Sequence, residues 1–331
     1  MKLSEFDYPL PRELIAQYPL KERDEAGLLV LDRKQCTIEH RIFKNIVDYF
    51  RQDDLMVLNN TEVLPSRLIG SRVTGGKVEL LLLRQKSGLG LTFDALIKPS
   101  RVKLKEKIIF NGGKIYGEVT AKNEITFKAL DIETIYNLGV MPLPPYIKRG
   151  SQDLDSVYYQ TVYAQELGSI ASPTAGLHFT EELITQIKSH GVNIAYITLH
   201  ISYSTFKPVK NEDITEHKME KEYFQINQEA QSNINQAHLK KGRIFAVGTT
   251  TCRTLESYAS GFKDGYTDLF IYPGYRFKMT DCLITNFHLP RTTLFMLVCA
   301  FAGKKLIKKA YQEAIDKKYR FYSYGDAMLI V

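Results

Sequence analysis

The sequence predicts an α/β protein that carries a second, smaller β domain within the chain. Three observations support this class. Apolar strand-like and helix-like segments alternate near both ends of the chain. Between about residues 65 and 142 the pattern changes to short β-rich runs separated by Gly and Asn turns. Three prolines within residues 141–146 then indicate a stiff, extended connector that returns the chain to the first domain.

The first 60 residues are of mixed type. We expect a strand at 28–31, a helix within 42–50 and a strand at 55–58, which Asn59-Asn60-Thr61 ends. The middle segment contains β-rich runs bounded by turn residues, as antiparallel strands are, and it forms a small sheet or barrel of its own. The predicted strands of this segment are 77–83, 91–97, 107–110, 115–119 and 125–129.

After the connector, strand and helix patterns alternate. This alternation predicts a layered α/β domain with a largely buried sheet. The predicted helices are 181–189, 228–241, 251–260, 294–301 and 304–318. The predicted strands are 194–201, 223–226, 244–247, 268–272 and 282–285.

Composition limits the class of protein. Hydrophobic residues make up 44% and charged residues 24% of 331 residues, which excludes disorder. The net charge of +7 favours a polyanionic partner, but a merely basic enzyme fits it equally well. The four cysteines are widely spaced, which fits a reducing cytoplasm. The N-terminal segment has no secretory signal, and the longest apolar stretch, 294–302, is too short to cross a bilayer. We therefore expect a cytoplasmic protein that is neither exported nor membrane-spanning.

A first candidate site is Gly248-Thr249-Thr250, which follows a buried strand pattern and begins a helix. Free backbone N–H groups and the positive end of the helix dipole at such a position attract a carboxylate or a phosphate. The alternative is that the threonines only cap the helix.

A second candidate is the loop of residues 172–180, which contains small residues, Pro173, Thr174, Gly176 and His178. Small residues allow a backbone to approach a ligand closely, and His178 is the titratable group. The alternative for His178 is a capping or packing role. His200, Asn286 and His288 follow predicted strands, and they could converge because ligand sites in α/β sheets gather at strand ends.

Other motifs narrow the chemistry. The histidine spacings match no metal-ligand pattern, so we expect no metal, and the usual signals of serine hydrolases and P-loop NTPases are absent. The run 217–222 is a further candidate, and the alternative for His217 and Glu222 is a solvated polar run before the strand 223–226. Basic residues cluster at 98–107 and 304–320, where Tyr311 and Tyr319 could stack on bases, although such helix faces are usually only solvated.

Taken together, the motifs resemble the S-adenosylmethionine:tRNA ribosyltransferase-isomerase family of queuosine biosynthesis. The matching segments are 6–11, 14–17, 58–61, 65–68, 141–147, 159–164, 173–180, 248–250, 285–290 and 321–329. Two departures stand out. Ser202 and Ser204 replace the glycines of the family pattern L-H-V-G-x-G-T-F, and Glu220 replaces the second histidine of H-x-M-H-x-E.

The resemblance implies a mixed-sheet α/β sandwich domain, residues 1–62 and 148–331, interrupted by an inserted antiparallel β-barrel domain, residues 63–147. It also implies the substrates: S-adenosylmethionine as ribosyl donor, and tRNA with 7-aminomethyl-7-deazaguanine at the wobble position of a GUN anticodon. The ribosyl group is transferred and isomerised onto the aminomethyl group, adenine and methionine leave, and the tRNA carries epoxyqueuosine. We expect a monomer.

The implied chemistry needs a general base near C5′, whose hydrogens the sulfonium makes acidic, a group for adenine and an anchor for the methionine carboxylate. We expect His178 to transfer protons, with His200 and His288 as further catalytic candidates. The expected substrate-binding residues are Asn59, Asn60, Thr61, Arg67, Pro173, Thr174, Gly176, Gly248, Thr249, Thr250, Asn286, Tyr324 and Asp326. Two rival functions are a non-catalytic RNA-binding protein on the same scaffold and an S-adenosylmethionine-dependent methyltransferase.

Overall fold

The computed structural model describes residues 1–206, 208–262 and 264–331, and only the backbone of Ser204 and Phe206. The side chain of Ser204, one of the two glycine replacements, therefore lies outside the described part. The strands are β1 (Gly27–Asp32), β2 (Thr37–Ile42), β3 (Leu55–Asn59), β4 (Thr61–Val63), β5 (Arg67–Arg72), β6 (Lys77–Gln85), β7 (Thr92–Lys98), β8 (Lys107–Phe110), β9 (Ile115–Ala121), β10 (Glu124–Lys128), β11 (Gly139–Val140), β12 (Glu166–Ser169), β13 (Asn193–Leu199), β14 (Glu222–Gln225), β15 (Ile244–Val247), β16 (Asp264–Thr267), β17 (Cys282–Asn286) and β18 (Ala327–Ile330). The α-helices are α1 (Ile132–Tyr136), α2 (Asp153–Tyr158), α3 (Glu181–Ser189), α4 (Gln228–Lys240), α5 (Thr249–Tyr258), α6 (Thr293–Ala302) and α7 (Lys304–Asp316).

A nine-stranded mixed sheet forms the centre of the larger domain, in the order β16-β14-β13-β3-β15-β17-β18-β1-β2. Strands β13, β3, β15 and β17 are parallel, so their carboxyl ends meet at one edge of the sheet. β18 runs antiparallel to β17, which places its amino end at the same edge. This arrangement brings the loops that follow β13, β15 and β17 next to the loop that precedes β18.

Helices cover both faces of this sheet. Alternate side chains of β1, β3 and β15 point to opposite faces, as the two-residue period of a strand requires. One face packs against α4, α5, α6 and α7, and the other packs against α3 and the 3₁₀ segment Phe43–Tyr49. The predicted mixed-sheet α/β sandwich is confirmed.

The chain between β4 and the connector forms a closed antiparallel barrel. Its six strands follow the order β5-β6-β7-β10-β9-β8, and β8 pairs back with β5 to close the ring. The barrel has its own apolar core, which includes Leu68, Leu80, Phe93 and Ile125. The antiparallel barrel that the family resemblance implied is confirmed as well; the turn residues between its strands had predicted a small antiparallel sheet or barrel.

One local expectation was wrong. Residues 268–272 do not form a strand; Leu269, Phe270 and Tyr272 pack their side chains against the sheet core, and the strand lies just before them at β16. The strand predicted at 55–58 does end within Asn59-Asn60-Thr61, because β3 ends at Asn59 and a separate strand, β4, begins at Thr61. The apolar pattern of residues 268–272 correctly predicted that these side chains pack against the core, but it did not predict which residues pair in the sheet.

Two functional expectations for surface residues also fail. Glu222 is not solvated: it is 2% exposed and forms a buried ion pair with Arg253. Tyr311 and Tyr319 lie in the hydrophobic core beside Phe287, so neither ring is available to stack on a base. Within the described ranges, no helix has the length and apolarity needed to cross a membrane.

Candidate active site

A cavity of about 510 Å³, part of it open to solvent, lies at the sheet edge where the parallel strands end. Seven of the sequence-predicted site residues line it: Pro173, Thr174, Gly248, Thr249, Thr250, Asn286 and His288. The residues that the sequence analysis did not select include Tyr146, Ser172, Thr205, Thr285, Phe287, Tyr322 and Ser323. Most of these residues lie inside the family-like segments 141–147, 285–290 and 321–329, and membership of those segments was the sequence signal that could have identified them.

The start of helix α5 forms one wall. Gly248 has φ of 92°, a left-handed conformation that favours glycine, and its N–H donates to the carbonyl of Ile284 at 2.8 Å. No side chain in the described ranges caps this helix. The Thr250 hydroxyl is buried and has no hydrogen-bond partner among the described residues. The wall thus presents backbone N–H groups and a hydroxyl that a ligand can satisfy.

The Ser172-Pro173-Thr174 loop forms a second wall. The Ser172 hydroxyl is buried and likewise finds no partner in the described part of the chain. Gly176 lies outside the cavity, where a Cβ would be 2.0 Å from the Tyr163 hydroxyl. Glycine is therefore required at this position because it lets the loop pack closely against Tyr163, and this packing positions Pro173 and Thr174.

Asn286, at the end of β17, connects the cavity to His178. Its Nδ2 donates to His178 Nε2 at 3.1 Å and to the carbonyl of Tyr322 at 3.1 Å. Its Oδ1 is buried and has no partner among the described residues, and Asn286 is 2% exposed. An amide whose donors are all engaged inside the protein offers an acceptor to the cavity.

His178 lies behind Asn286 and lines a smaller neighbouring recess with Arg23 and Tyr324, not the main cavity. Burial lowers its pKa to about 4, so the ring is neutral near pH 7. A neutral ring that accepts from Asn286 at Nε2 carries its proton at Nδ1.

His288 lines the cavity itself. Its Nε2 lies 2.8 Å from the Thr285 hydroxyl, and its backbone N–H donates to the Tyr311 hydroxyl at 3.0 Å. The Tyr8 hydroxyl donates to its carbonyl. Burial lowers the pKa of His288 to about 3, so this ring is also neutral.

His200 and the Asn59-Asn60-Thr61 segment do not line the cavity. The Asn59 side chain donates to the Leu199 carbonyl and accepts from the Leu199 N–H, both at 3.0 Å, and thereby joins the ends of β3 and β13. Asn60 accepts from Thr198, and Thr61 is hydrogen-bonded to His200 Nδ1 at 2.8 Å. Burial lowers the pKa of His200. These side chains hold the strand ends in place.

The remaining predicted residues also lie outside the cavity. Arg67, at the base of the barrel, pairs with Glu79 and donates to the connector carbonyl of Leu143 at 2.8 Å. Asp326 accepts from the N–H groups of Gly27 and Arg320, and burial raises its pKa.

Tyr324 belongs to a buried polar network. Its hydroxyl donates to Asp155 Oδ1 at 2.8 Å, and Arg149 binds the same carboxylate through both nitrogens at 2.7 Å. Arg149 follows the connector, so the network ties the end of the connector to the C-terminal motif. In the parts of the chain that the structure describes, no group of three or more His, Cys, Asp or Glu side chains is placed to hold a metal ion.

Comparison with known proteins gives consistent results. A family model described as a queuosine biosynthesis protein matches residues 3–330. A relative from Sulfurihydrogenibium sp. strain YO3AOP1, named S-adenosylmethionine:tRNA ribosyltransferase-isomerase, is 52% identical over 339 residues and covers 100% of both chains. One of the same name from Caldanaerobacter subterraneus is 50% identical over 345 residues with the same coverage. The crystal structure of S-adenosylmethionine tRNA ribosyltransferase from Thermotoga maritima is 37% identical, has a TM-score of 0.58 and covers 99% of this chain and 100% of its own.

Proposed function

The chain belongs to the queuosine biosynthesis protein family and is an S-adenosylmethionine:tRNA ribosyltransferase-isomerase, and from this premise we propose that the cavity at the ends of β13, β15 and β17 is its active site. One observation carries the assignment. Three buried polar atoms, Thr250 Oγ1, Ser172 Oγ and Asn286 Oδ1, belong to cavity-lining residues and have no partner among the described residues. Such atoms are rare in folded proteins unless a ligand or water satisfies them.

In the proposed reaction, the ribosyl group of S-adenosylmethionine is transferred and isomerised onto 7-aminomethyl-7-deazaguanine at the wobble position of a GUN anticodon. Adenine and methionine are released, and the tRNA carries epoxyqueuosine. The sulfonium supplies the activation, because it makes the neighbouring C5′ hydrogens acidic. The proposal therefore includes S-adenosylmethionine as a substrate and no metal.

We assign proton transfer to His288, since among the described residues it is the histidine that lines the cavity. Burial lowers its pKa to about 3, so the ring is unprotonated near pH 7 but weakly basic, and the assignment rests on its position in the cavity. Thr285 orients the ring through the contact to Nε2. His178 acts as a positioning residue: it holds the Asn286 amide so that Oδ1 faces the cavity, where it accepts from an adenine amine or a sugar hydroxyl.

The start of α5 is proposed to attract the methionine carboxylate or another acceptor group of the substrate through Gly248, Thr249 and Thr250. Pro173 and Thr174 form a second wall of the cavity. We assign supporting roles to the other predicted residues, which join strand ends or fasten the connector: Asn59, Asn60, Thr61, His200, Arg67, Gly176, Tyr324 and Asp326.

We propose that residues 1–62 and 148–331 form the catalytic domain and that the barrel, residues 63–147, contributes to tRNA binding. The barrel segment 98–107 exposes Arg101, Lys103 and Lys105. Its acidic residue, Glu106, is already paired with Arg72, so the cations of the segment remain available to phosphates.

We further propose that the protein acts as a monomer in the cytoplasm. Light scattering tests the oligomeric state, and cell fractionation tests the location.

A single assay tests the function. The protein is incubated with S-adenosylmethionine and tRNA that carries the 7-aminomethyl-7-deazaguanine base, and products are identified by mass spectrometry. Adenine and free methionine, formed only with the modified tRNA, support the proposal. Salt-sensitive tRNA binding without adenine release indicates an RNA-binding protein, and S-adenosylhomocysteine indicates a methyltransferase; either result contradicts it.

A further inference from the structure

A second, apolar recess adjoins the active-site cavity along helix α5. The two spaces share the walls formed by Thr205, Thr249, Thr250 and Leu294, so they lie side by side along this helix. Arg253 lines the recess but not the cavity. It lies three and four residues after Thr250 and Thr249, which places it on the same face of the helix, one turn further along.

Arg253 is an incompletely satisfied buried cation. It is 5% exposed, its Nη1 pairs with Glu222 Oε2, and its Nε donates to the carbonyl of Leu269 at 3.0 Å. Its Nη2 is buried and has no partner among the described residues. A guanidinium N–H in this state gains stability when an acceptor reaches it, and a carboxylate is the acceptor that matches it best.

The other walls of the recess are apolar. Met219, Phe270, Ile271 and Leu297 line it together with the aliphatic part of Leu269. A space with apolar walls and one free guanidinium N–H fits a ligand that combines an apolar chain with a carboxylate. The aliphatic chain of an α-amino acid such as methionine is of this kind, and its neutral thioether sulfur packs favourably against aromatic rings.

The charge balance narrows the ligand further. Glu222 is completely engaged: its Oε1 accepts from the Ser202 N–H at 2.8 Å and from the Thr205 hydroxyl at 3.1 Å, and its Oε2 pairs with Arg253. The buried pair is therefore neutral before any ligand binds. A simple anion would add an uncompensated buried charge, whereas an amino-acid zwitterion adds none.

We propose that this recess binds the α-amino-acid end of S-adenosylmethionine, with its carboxylate accepting a hydrogen bond from Arg253 Nη2. The inference rests on the proposed function, because S-adenosylmethionine is the substrate of that function. Glu222 is then a positioning residue, which holds Arg253 between the recess and Thr205. The carboxylate gains a charged donor in addition to the start of α5.

The first test compares dissociation constants for S-adenosylmethionine and its decarboxylated analogue, measured by calorimetry. The wild-type protein is expected to prefer the carboxylate by about 10- to 100-fold, as a charge-assisted hydrogen bond provides. Arg253→Lys keeps a charge for Glu222 but not the second nitrogen, and it should reduce the preference to about threefold or less. A variant that folds and keeps the wild-type ratio overturns the proposal.

Arg243→Lys is the matched control. Arg243 also pairs with a buried carboxylate, that of Asp54, at 2.6 Å, but it precedes β15 and so lies at the opposite edge of the sheet from the cavity. This variant should keep the wild-type ratio. If Arg243→Lys reduces the preference for S-adenosylmethionine over its decarboxylated analogue as much as Arg253→Lys does, general destabilisation explains both results and the proposal is overturned.

A test on the wild-type protein applies even if Arg253→Lys does not fold. Photo-methionine, a diazirine analogue of methionine, is bound, irradiated and located by peptide mass spectrometry. Labels at 269–271 or Met219 support the proposal, and their absence from both segments overturns it. Adenine release from S-adenosylmethionine and modified tRNA is measured in parallel: if it occurs while the labels lie elsewhere, the proposed function stands and only this inference fails.

Discussion

His178 and His288 show how burial and hydrogen bonding divide the roles of two neutral histidines. Both rings have depressed pKa values, about 4 and about 3, because both are buried without a carboxylate partner. Only His288 lines the main cavity, whereas His178 meets it through the amide of Asn286. Position relative to the cavity, not the pKa, therefore separates a proton-transfer residue from a positioning residue.

His288→Gln is expected to lower the single-turnover rate of adenine release by about 10²- to 10⁴-fold, because it removes the titratable group and keeps a side chain that can bond to Thr285. The dissociation constant of S-adenosylmethionine should change by less than about threefold if only proton transfer is lost. Rapid-quench kinetics and calorimetry measure the two quantities. An unchanged rate would remove His288 from this role.

His178 is expected to respond differently to two substitutions. His178→Leu removes the acceptor for Asn286 Nδ2 and so leaves the amide free to reorient, whereas His178→Gln supplies a carbonyl in place of Nε2. The Leu variant should bind S-adenosylmethionine about 10-fold more weakly, and the Gln variant should recover most of the loss. Equal losses of rate in both variants, without a change in binding, would instead point to a direct proton-transfer role.

Among the elements, the barrel supplies an exposed basic turn that is separate from the cavity-lining loops. The turn between β7 and β8 carries Arg101, Lys103 and Lys105 on its exposed surface. Because the strands on both sides belong to a closed barrel with its own core, substitutions in this turn leave the active-site loops in place. The turn can therefore be tested for tRNA binding separately from catalysis.

Lys103→Ala/Lys105→Ala is expected to weaken tRNA binding and to lower the slope of log K against log salt by about 1 to 2, as the loss of two phosphate contacts does. Filter binding between low and moderate salt measures the slope. Lys188→Ala is the control, since this exposed lysine ends α3 at the sheet edge away from the cavity. A slope that stays at the wild-type value in the double variant would place the tRNA backbone elsewhere.

For the whole molecule, sequence patterns predicted the architecture better than the site. Turn residues predicted a small antiparallel sheet or barrel, and strand–helix alternation predicted a layered α/β domain, because both signals are local; the family resemblance specified the barrel and the sandwich. The separation of His178 from the cavity depends on Asn286, 108 residues away, and the partner of Arg253 is 31 residues away, so neither could be deduced from spacing. Glu222 was misassigned for the same reason: a charged run looks solvated until the cation that pairs with it is known.

The depressed pKa values of the two buried histidines also predict how the stability of the whole molecule depends on pH. In the unfolded chain these histidines take up protons as the pH falls through about 6.5, while in the folded protein they stay neutral until about 4 and about 3. The unfolded state therefore binds more protons across this window, and the free energy of unfolding should fall continuously from about pH 6.5 towards pH 4. Burial raises the pKa of Asp155, but its bonds to Arg149, Gln152 and Tyr324 together outweigh burial and lower it, so Asp155 adds to the loss only below its ordinary value of 3.8. Urea unfolding midpoints at several pH values between 7 and 4.5 measure the effect, and the His178→Asn/His288→Asn variant should show a flatter profile whatever its absolute stability. A wild-type midpoint that is constant over this window, or a variant with the wild-type slope, would mean that these rings are protonated in the folded protein, and the assignment of His288 as an unprotonated acceptor would fail with it.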